Sequence, residues 1–228
     1  MASTKLLALL VETIFLMHFY QTQLIELAVS KKILKFGEFT LKSGRLSPYF
    51  FNAGGFNDGR SMRVLCNSYA HCIAASDIHF DMLFGPAYKG IPLATGIAMA
   101  WNEMTTTDMP YAYNRKEVKG HGEGGQLVGA PLSGKVLIVD DVISAGTSVR
   151  EAVEWIRAAG AQVAGVAIAL DRQERGQDKI SAAQEVSNQF DIPVLAVINL
   201  DKLLLWLETA SIEVDIQAIR DYRNRYGV

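Results

Sequence analysis

The chain has 228 residues, half of them hydrophobic, which is enough for one compact α/β domain with a sizeable core. Lys and Arg number 22 against 24 Asp and Glu, a net charge of −2, so nothing global suggests nucleic acid or an anionic membrane as a partner. The two cysteines, Cys66 and Cys72, match no zinc or redox spacing and read as buried thiols of a reducing, cytoplasmic compartment. The four histidines form no ligand-spaced pair, so no metal is expected to be held directly by the protein.

Leu6–Val11 is a short apolar run, interrupted by Glu12 and far too short to span a bilayer. Residues 1–16 read as an extension. Gln21–Leu34 carries apolar residues at helical spacing, and Glu38–Asn52 reads as a hairpin with Lys42–Arg45 at its tip. Ser61–Ala75 is a helix candidate. Phe80–Phe84 is a short apolar strand closed by Gly85-Pro86, and a helical stretch runs from Gly90 through Ala100. Pro110–Tyr113 reads as a strand, and Asn114–Gly125 as a polar, glycine-rich loop. Val136–Val139 is a fully apolar strand. Val149–Ala159 is a helix with Gly160 as its stop. Strands follow at Val163–Leu170 and Pro193–Asn199, then helices at Asp201–Glu208 and Ile212–Tyr226. Strands apolar on both faces, alternating with helices, imply an α/β fold: a mainly parallel, twisted sheet flanked by helices on both sides. The N-terminal helix and hairpin break the alternation and are expected to form a cap over the edge where the strands end. The expected organisation is one domain over 17–228, with a cap mainly in 20–60, a core of about 61–200 and C-terminal helices from 201 to 228.

Ligands of such sheets sit beyond the carboxyl ends of the strands. There the sequence runs from Val136 to Ser148, with Asp140 and Asp141 at the strand end. Val142, Ile143, Ser144, Ala145, Gly146, Thr147 and Ser148 lead into a helix whose free amides and positive dipole end suit a phosphate monoester. Neither GxxxxGK[ST] nor a strand-following GxGxxG is present. A carboxylate pair repels phosphate but accepts hydrogen bonds from hydroxyls. The ligand expected is a phosphate with a vicinal diol nearby, as in ribose 5-phosphate.

This thirteen-residue segment resembles the signature of the type I phosphoribosyltransferases. The resemblance implies binding of 5-phosphoribosyl 1-diphosphate, with magnesium on the diphosphate held mainly by substrate and water. The signature does not choose the acceptor, and a purine or uracil enzyme, or a regulatory protein that keeps the sugar site, shares it. Three further segments resemble the bacterial orotate-specific members: Thr40–Gly54, Phe84–Pro92 and Tyr113–Gly125. By that resemblance Lys42, Tyr88, Lys89, Arg115, Lys116, Lys119 and His121 contact the sugar diphosphate, together with Asp140 and Asp141. Arg115, Lys119 and His121 match residues supplied from the neighbouring subunit, which implies a homodimer with shared sites. Phe50, Phe51, Ser144 and Arg172 are implied for orotate. A guanidinium fork suits the carboxylate that uracil and purines lack. The resemblance starts at about Tyr20, and Met17 stands where such enzymes begin, so an upstream start is expected to have been assigned to this chain. With it comes the expected activity, formation of orotidine 5′-monophosphate in pyrimidine biosynthesis.

Overall fold

The computed structural model describes residues 17–228 except Lys42, 120–124, Ala145 and 177–178, and leaves the side chains of Val118 and Lys119 undescribed. The expected 1–16 extension therefore lies outside the described residues, as do Lys42, Ala145 and His121. The first helix, α1, spans Phe19–Ser30. It stops short of the expected Leu34 because Lys32 turns left-handed (φ 55°). The amide of Ile33 then bonds back to the Ala28 carbonyl, and that of Lys32 to the Val29 carbonyl. This is a Schellman closure with lysine in the place glycine usually takes, so no glycine marked it in advance.

Strands β1 (Leu34–Thr40) and β2 (Leu46–Phe51) pair antiparallel as a separate two-stranded sheet. Helix α2 (Gly59–Ala74) begins at an Asp58 cap whose side chain accepts from the Ser61 amide. Next come β3 (Met82–Gly85), α3 (Gly90–Thr105), β4 (Tyr111–Lys119) and β5 (Gly125–Gly129). Then follow β6 (Lys135–Asp140), α4 (Thr147–Ala158), β7 (Gln162–Asp171), α5 (Ala182–Phe190) and β8 (Val194–Asn199). Helices α6 (Leu200–Thr209) and α7 (Ile216–Tyr226) close the chain.

The main sheet has the order β5-β4-β3-β6-β7-β8, and every neighbouring pair is parallel except the β4–β5 edge. The mainly parallel sheet read from the sequence is the one observed. Strand β6 shows why an unbroken apolar run suits it. Leu137 and Val139 pack into a core with α2, α3, α6 and α7, while Val136 and Ile138 pack into a second core with α4 and α5. The period-2 alternation of a strand sends successive side chains to opposite layers, and here both layers are dry.

Two further elements differ from the sequence reading. Asn114–Gly125 is not all loop: Asn114–Lys119 continues β4, which returns as β5, with an irregular register between Asn114 and Lys119. Polar composition hid an edge strand, where one side of each residue faces water. Helix α5 was not anticipated at all. Its start carries a capping box, since the Ser181 side chain accepts from the Gln184 amide and Gln184 reaches back to the Ser181 amide. Ser181-Ala-Ala-Gln184 was a readable signal.

Candidate active site

Two strand-to-helix junctions lie side by side, because β3 and β6 are parallel neighbours. The β6 junction begins with Asp140 and Asp141, which are 7 % and 8 % exposed and thus nearly out of water. Asp140 is anchored through its backbone, whose carbonyl accepts from the Tyr69 hydroxyl of α2 at 2.7 Å. Its carboxylate accepts from the Asp141 amide at 2.9 Å. Burial, with the neighbouring Asp141 charge adding to it, pushes the Asp140 carboxyl up to about 7 against the pull of that amide. The Asp141 carbonyl accepts from the Ala169 amide of β7 at 2.9 Å, which fixes the turn in place.

Val142, Ile143 and Ser144 then lead to Gly146, which caps α4 in the left-handed region (φ 67°). A Cβ there would meet the Val186 side chain at 3.0 Å as well as suffer the positive φ. With glycine as cap, the N-cap residue offers no side-chain hydrogen bond to the first turn of α4. The amides around Thr147 and Ser148 are left for an anion at the positive end of the helix.

The β3 junction is built on a close approach. A Cβ on Gly85 would fall 2.0 Å from the Gly90 carbonyl oxygen, and one on Gly90 would fall 2.6 Å from the Gly85 carbonyl carbon. Only glycine fits either place. The Ala87 amide donates to the Asn114 side chain of β4 at 2.8 Å. Asn114 is itself buried, and nothing in the sequence singled it out. Tyr88 is 65 % exposed, with the Lys116 ammonium 5.0 Å over its ring. Lys89 spans the gap between the junctions, and its Nζ lies 2.5 Å from Asp141 Oδ2. Lys89 on the turn thus brings positive charge beside the carboxylate pair, and Lys116 on β4 brings it beside Tyr88. Arg115 lies on the same strand, as does the backbone of Lys119.

Arg172 follows β7 at the same end of the sheet. Its Nη2 donates to Ser47 Oγ of β2 at 2.9 Å, and its guanidinium carbon sits 4.1 Å over the Tyr49 ring. Its Nε donates to Glu174 at 2.7 Å. The hairpin therefore touches the sheet through this arginine. Phe50 and Phe51 do not share a face: Phe50 is exposed and stacks on Phe39 at 5.6 Å, whereas Phe51 packs toward the core beside Phe56. Adjacent residues of a strand cannot do otherwise. Ser47, Tyr49 and Glu174 were missed by sequence reading. Ser47 and Tyr49 lie within Thr40–Gly54 and Glu174 two residues after Arg172, but none carries an individual signal.

Among the described residues no group of three or more His, Cys, Asp or Glu could hold a metal, and no helix is long and apolar enough to cross a membrane. Both cysteines are buried and free.

Residues 56–198 match the phosphoribosyl transferase domain family. An orotate phosphoribosyltransferase of Klebsiella pneumoniae is 56 % identical over 210 residues, covering 92 % of this chain and 99 % of that one. One of Thiobacillus denitrificans is 59 % identical over the same shares. Among solved structures, the orotate phosphoribosyltransferase of Francisella tularensis is 45 % identical with a TM-score of 0.82, covering 90 % of this chain and all of that one.

Proposed function

The chain belongs to the phosphoribosyltransferase family, among the orotate phosphoribosyltransferases, and from that premise we propose how its strand-end residues carry out the transfer. The reaction joins orotate to the ribose 5-phosphate of 5-phosphoribosyl 1-diphosphate, giving orotidine 5′-monophosphate and diphosphate, a step of pyrimidine biosynthesis. The observation that carries the reading is the β6 junction, where two buried carboxylates stand at the foot of a helix capped only by glycine. Asp140 and Asp141 accept the ribose hydroxyls. The Ser144–Ser148 turn takes the 5′-phosphate on its hydroxyls and amides. Lys89 exchanges its Asp141 partner for diphosphate oxygens, alongside Lys42, Tyr88, Arg115 and Lys116.

In the transfer the anomeric C–O bond breaks, and diphosphate leaves with the electron pair. The acceptor nitrogen forms the new bond at the same carbon. Positive charge builds on the ring meanwhile, as in glycoside chemistry. Orotate is already anionic, so no strong protein base is required. Lys119 and His121 neutralise the departing diphosphate. Arg172 meets the orotate carboxylate, with Ser144 and the exposed Phe50 at the ring, while Phe51 backs the hairpin from the core side. Magnesium fits as a guest of the substrate: the junction offers only two carboxylates, and one is paired with Lys89. When bound, it would be held mainly by substrate and water and would supply charge neutralisation.

We place the enzyme in the cytoplasm as a homodimer, with Arg115, Lys119 and His121 reaching the partner's site. The decisive experiment follows orotate absorbance after adding phosphoribosyl diphosphate and magnesium. Absorbance should fall only with both present, and uracil or a purine should react far more slowly than orotate. No change would remove the assignment. Mixing inactive Lys119→Ala with inactive Asp141→Ala subunits should restore part of the activity if sites are shared, and none if each subunit is self-sufficient.

A further inference from the structure

We propose that Glu174 is a positioning residue for the acceptor, holding the Arg172 guanidinium so that only its Nη1 edge is presented to a carboxylate-bearing base. The proposal deepens the reading of Arg172 as the orotate-binding arginine and rests on it.

The geometry around Arg172 is over-determined. Nε donates to Glu174 Oε1 at 2.7 Å, and Nη2 lies 2.5 Å from the same oxygen. Nη2 also donates to Ser47 Oγ at 2.9 Å. Ser47 spends its own proton on the Tyr49 carbonyl at 2.7 Å, so its lone pair must face a donor. The flat face of the guanidinium lies on Tyr49. One face, one long edge and half of the tip are thus occupied, and an incoming carboxylate is directed to Nη1.

Glu174 is fixed in turn from the far side. Its backbone pairs with Gly227, flanked by the Arg175 amide to the Tyr226 carbonyl at 2.8 Å and the Val228 amide to the Gln173 carbonyl at 3.1 Å. The Gln173 side chain exchanges two hydrogen bonds with Asp201 at the start of α6, each of 2.9 Å. Glu174 and Arg172 side chains are 13 % and 21 % exposed, enclosed by the buried rings of Tyr49 and Tyr222. Glu174 engages two of the guanidinium nitrogens, more than Ser47 does, so loss of its charge should loosen the orientation the most. Because Glu174 and Ser47 take Nε and Nη2, an acceptor carboxylate is recognised by its placement against Nη1, and Arg45, 3.8 Å from the second Glu174 oxygen, shares the same counter-charge.

The test uses the full-length enzyme. Glu174→Gln, which keeps an acceptor oxygen but not the charge, should raise the orotate KM about fivefold, and Glu174→Ala about twentyfold. The KM for phosphoribosyl diphosphate should stay within about twofold, and the kcat/KM ratio of orotate over uracil should fall. Arg172→Ala, with Arg172→Lys should the first not fold, tests the underlying reading separately. If the Arg172 variants leave the orotate KM unchanged, that reading fails. If they raise it but Glu174→Gln does not, only the positioning role fails. A lower orotate KM in Glu174→Gln, or a uniform loss for both acceptors together with a lower Tm, equally overturns it.

Discussion

The two ends of the candidate site are built differently. The sugar-phosphate end is one contiguous run, Val136 to Ser148, whose strand, carboxylates and helix cap follow one another within thirteen residues. The acceptor end is assembled across the chain: Arg172 meets Ser47 from 125 residues away, and the loop that carries Arg172 is tied down by Tyr226, Gly227 and Val228. The first end depends on local backbone conformation. The second depends on the hairpin, β7 and α7 all being docked at once. The two should therefore fail in different ways when disturbed.

The largest expected effect lies at the contiguous end. Asp141→Ala removes a carboxylate that accepts a ribose hydroxyl and strands the Lys89 ammonium. It should lower kcat/KM by about a thousandfold without altering the fold, as circular dichroism would check. Retention of a tenth of the activity would contradict the sugar assignment. Next comes Lys119→Ala, expected to lower kcat about a hundredfold while orotate binding stays nearly intact. Binding loss in step with turnover would place this lysine on the acceptor instead.

Gly85→Ala disturbs the scaffold beside the contiguous end. A methyl 2.0 Å from the Gly90 oxygen forces the β3 junction apart, at a cost of about 3 kcal/mol measured by denaturant unfolding. Gly160→Ala is the control: its Cβ would meet nothing within 4 Å, leaving only the strain of a positive φ. Similar losses for both would mean that space at Gly85 is not the issue.

Asp140 sharpens the comparison through pH. Its folded carboxyl titrates near 7, above the unfolded value of 3.8. The folded state therefore holds the proton more tightly, and this contribution to stability is full below pH 3.8 and is lost as pH rises to about 7. Thermal melts of Asp140→Asn and the parent should diverge across that window, the parent losing stability relative to the variant as pH increases. Parallel curves would show that burial does not hold the proton. The smallest effect belongs to the dispersed end. Ser47→Ala removes one of several restraints on Arg172 and should raise the orotate KM only about threefold, with stability lowered by about 1 kcal/mol.

What the sequence by itself determined follows the same division. The parallel sheet was readable because Val136–Val139 and Val163–Leu170 are apolar at every position, which only a strand buried on both faces requires. The phosphate-binding run was readable because its parts are neighbours in the chain. What was not readable depended on partners brought from elsewhere. The edge pair β4–β5 looks like loop until a sheet is there to bind it. The end of α1 at Ser30 needs the hairpin that begins at Leu34. Phe50 and Phe51 are equivalent as letters, and only docking of β2 decides which one faces the core. Glu174 is one acidic residue among 24 until tertiary packing sets it against Arg172, because the orientation of a guanidinium is a property of everything that surrounds it.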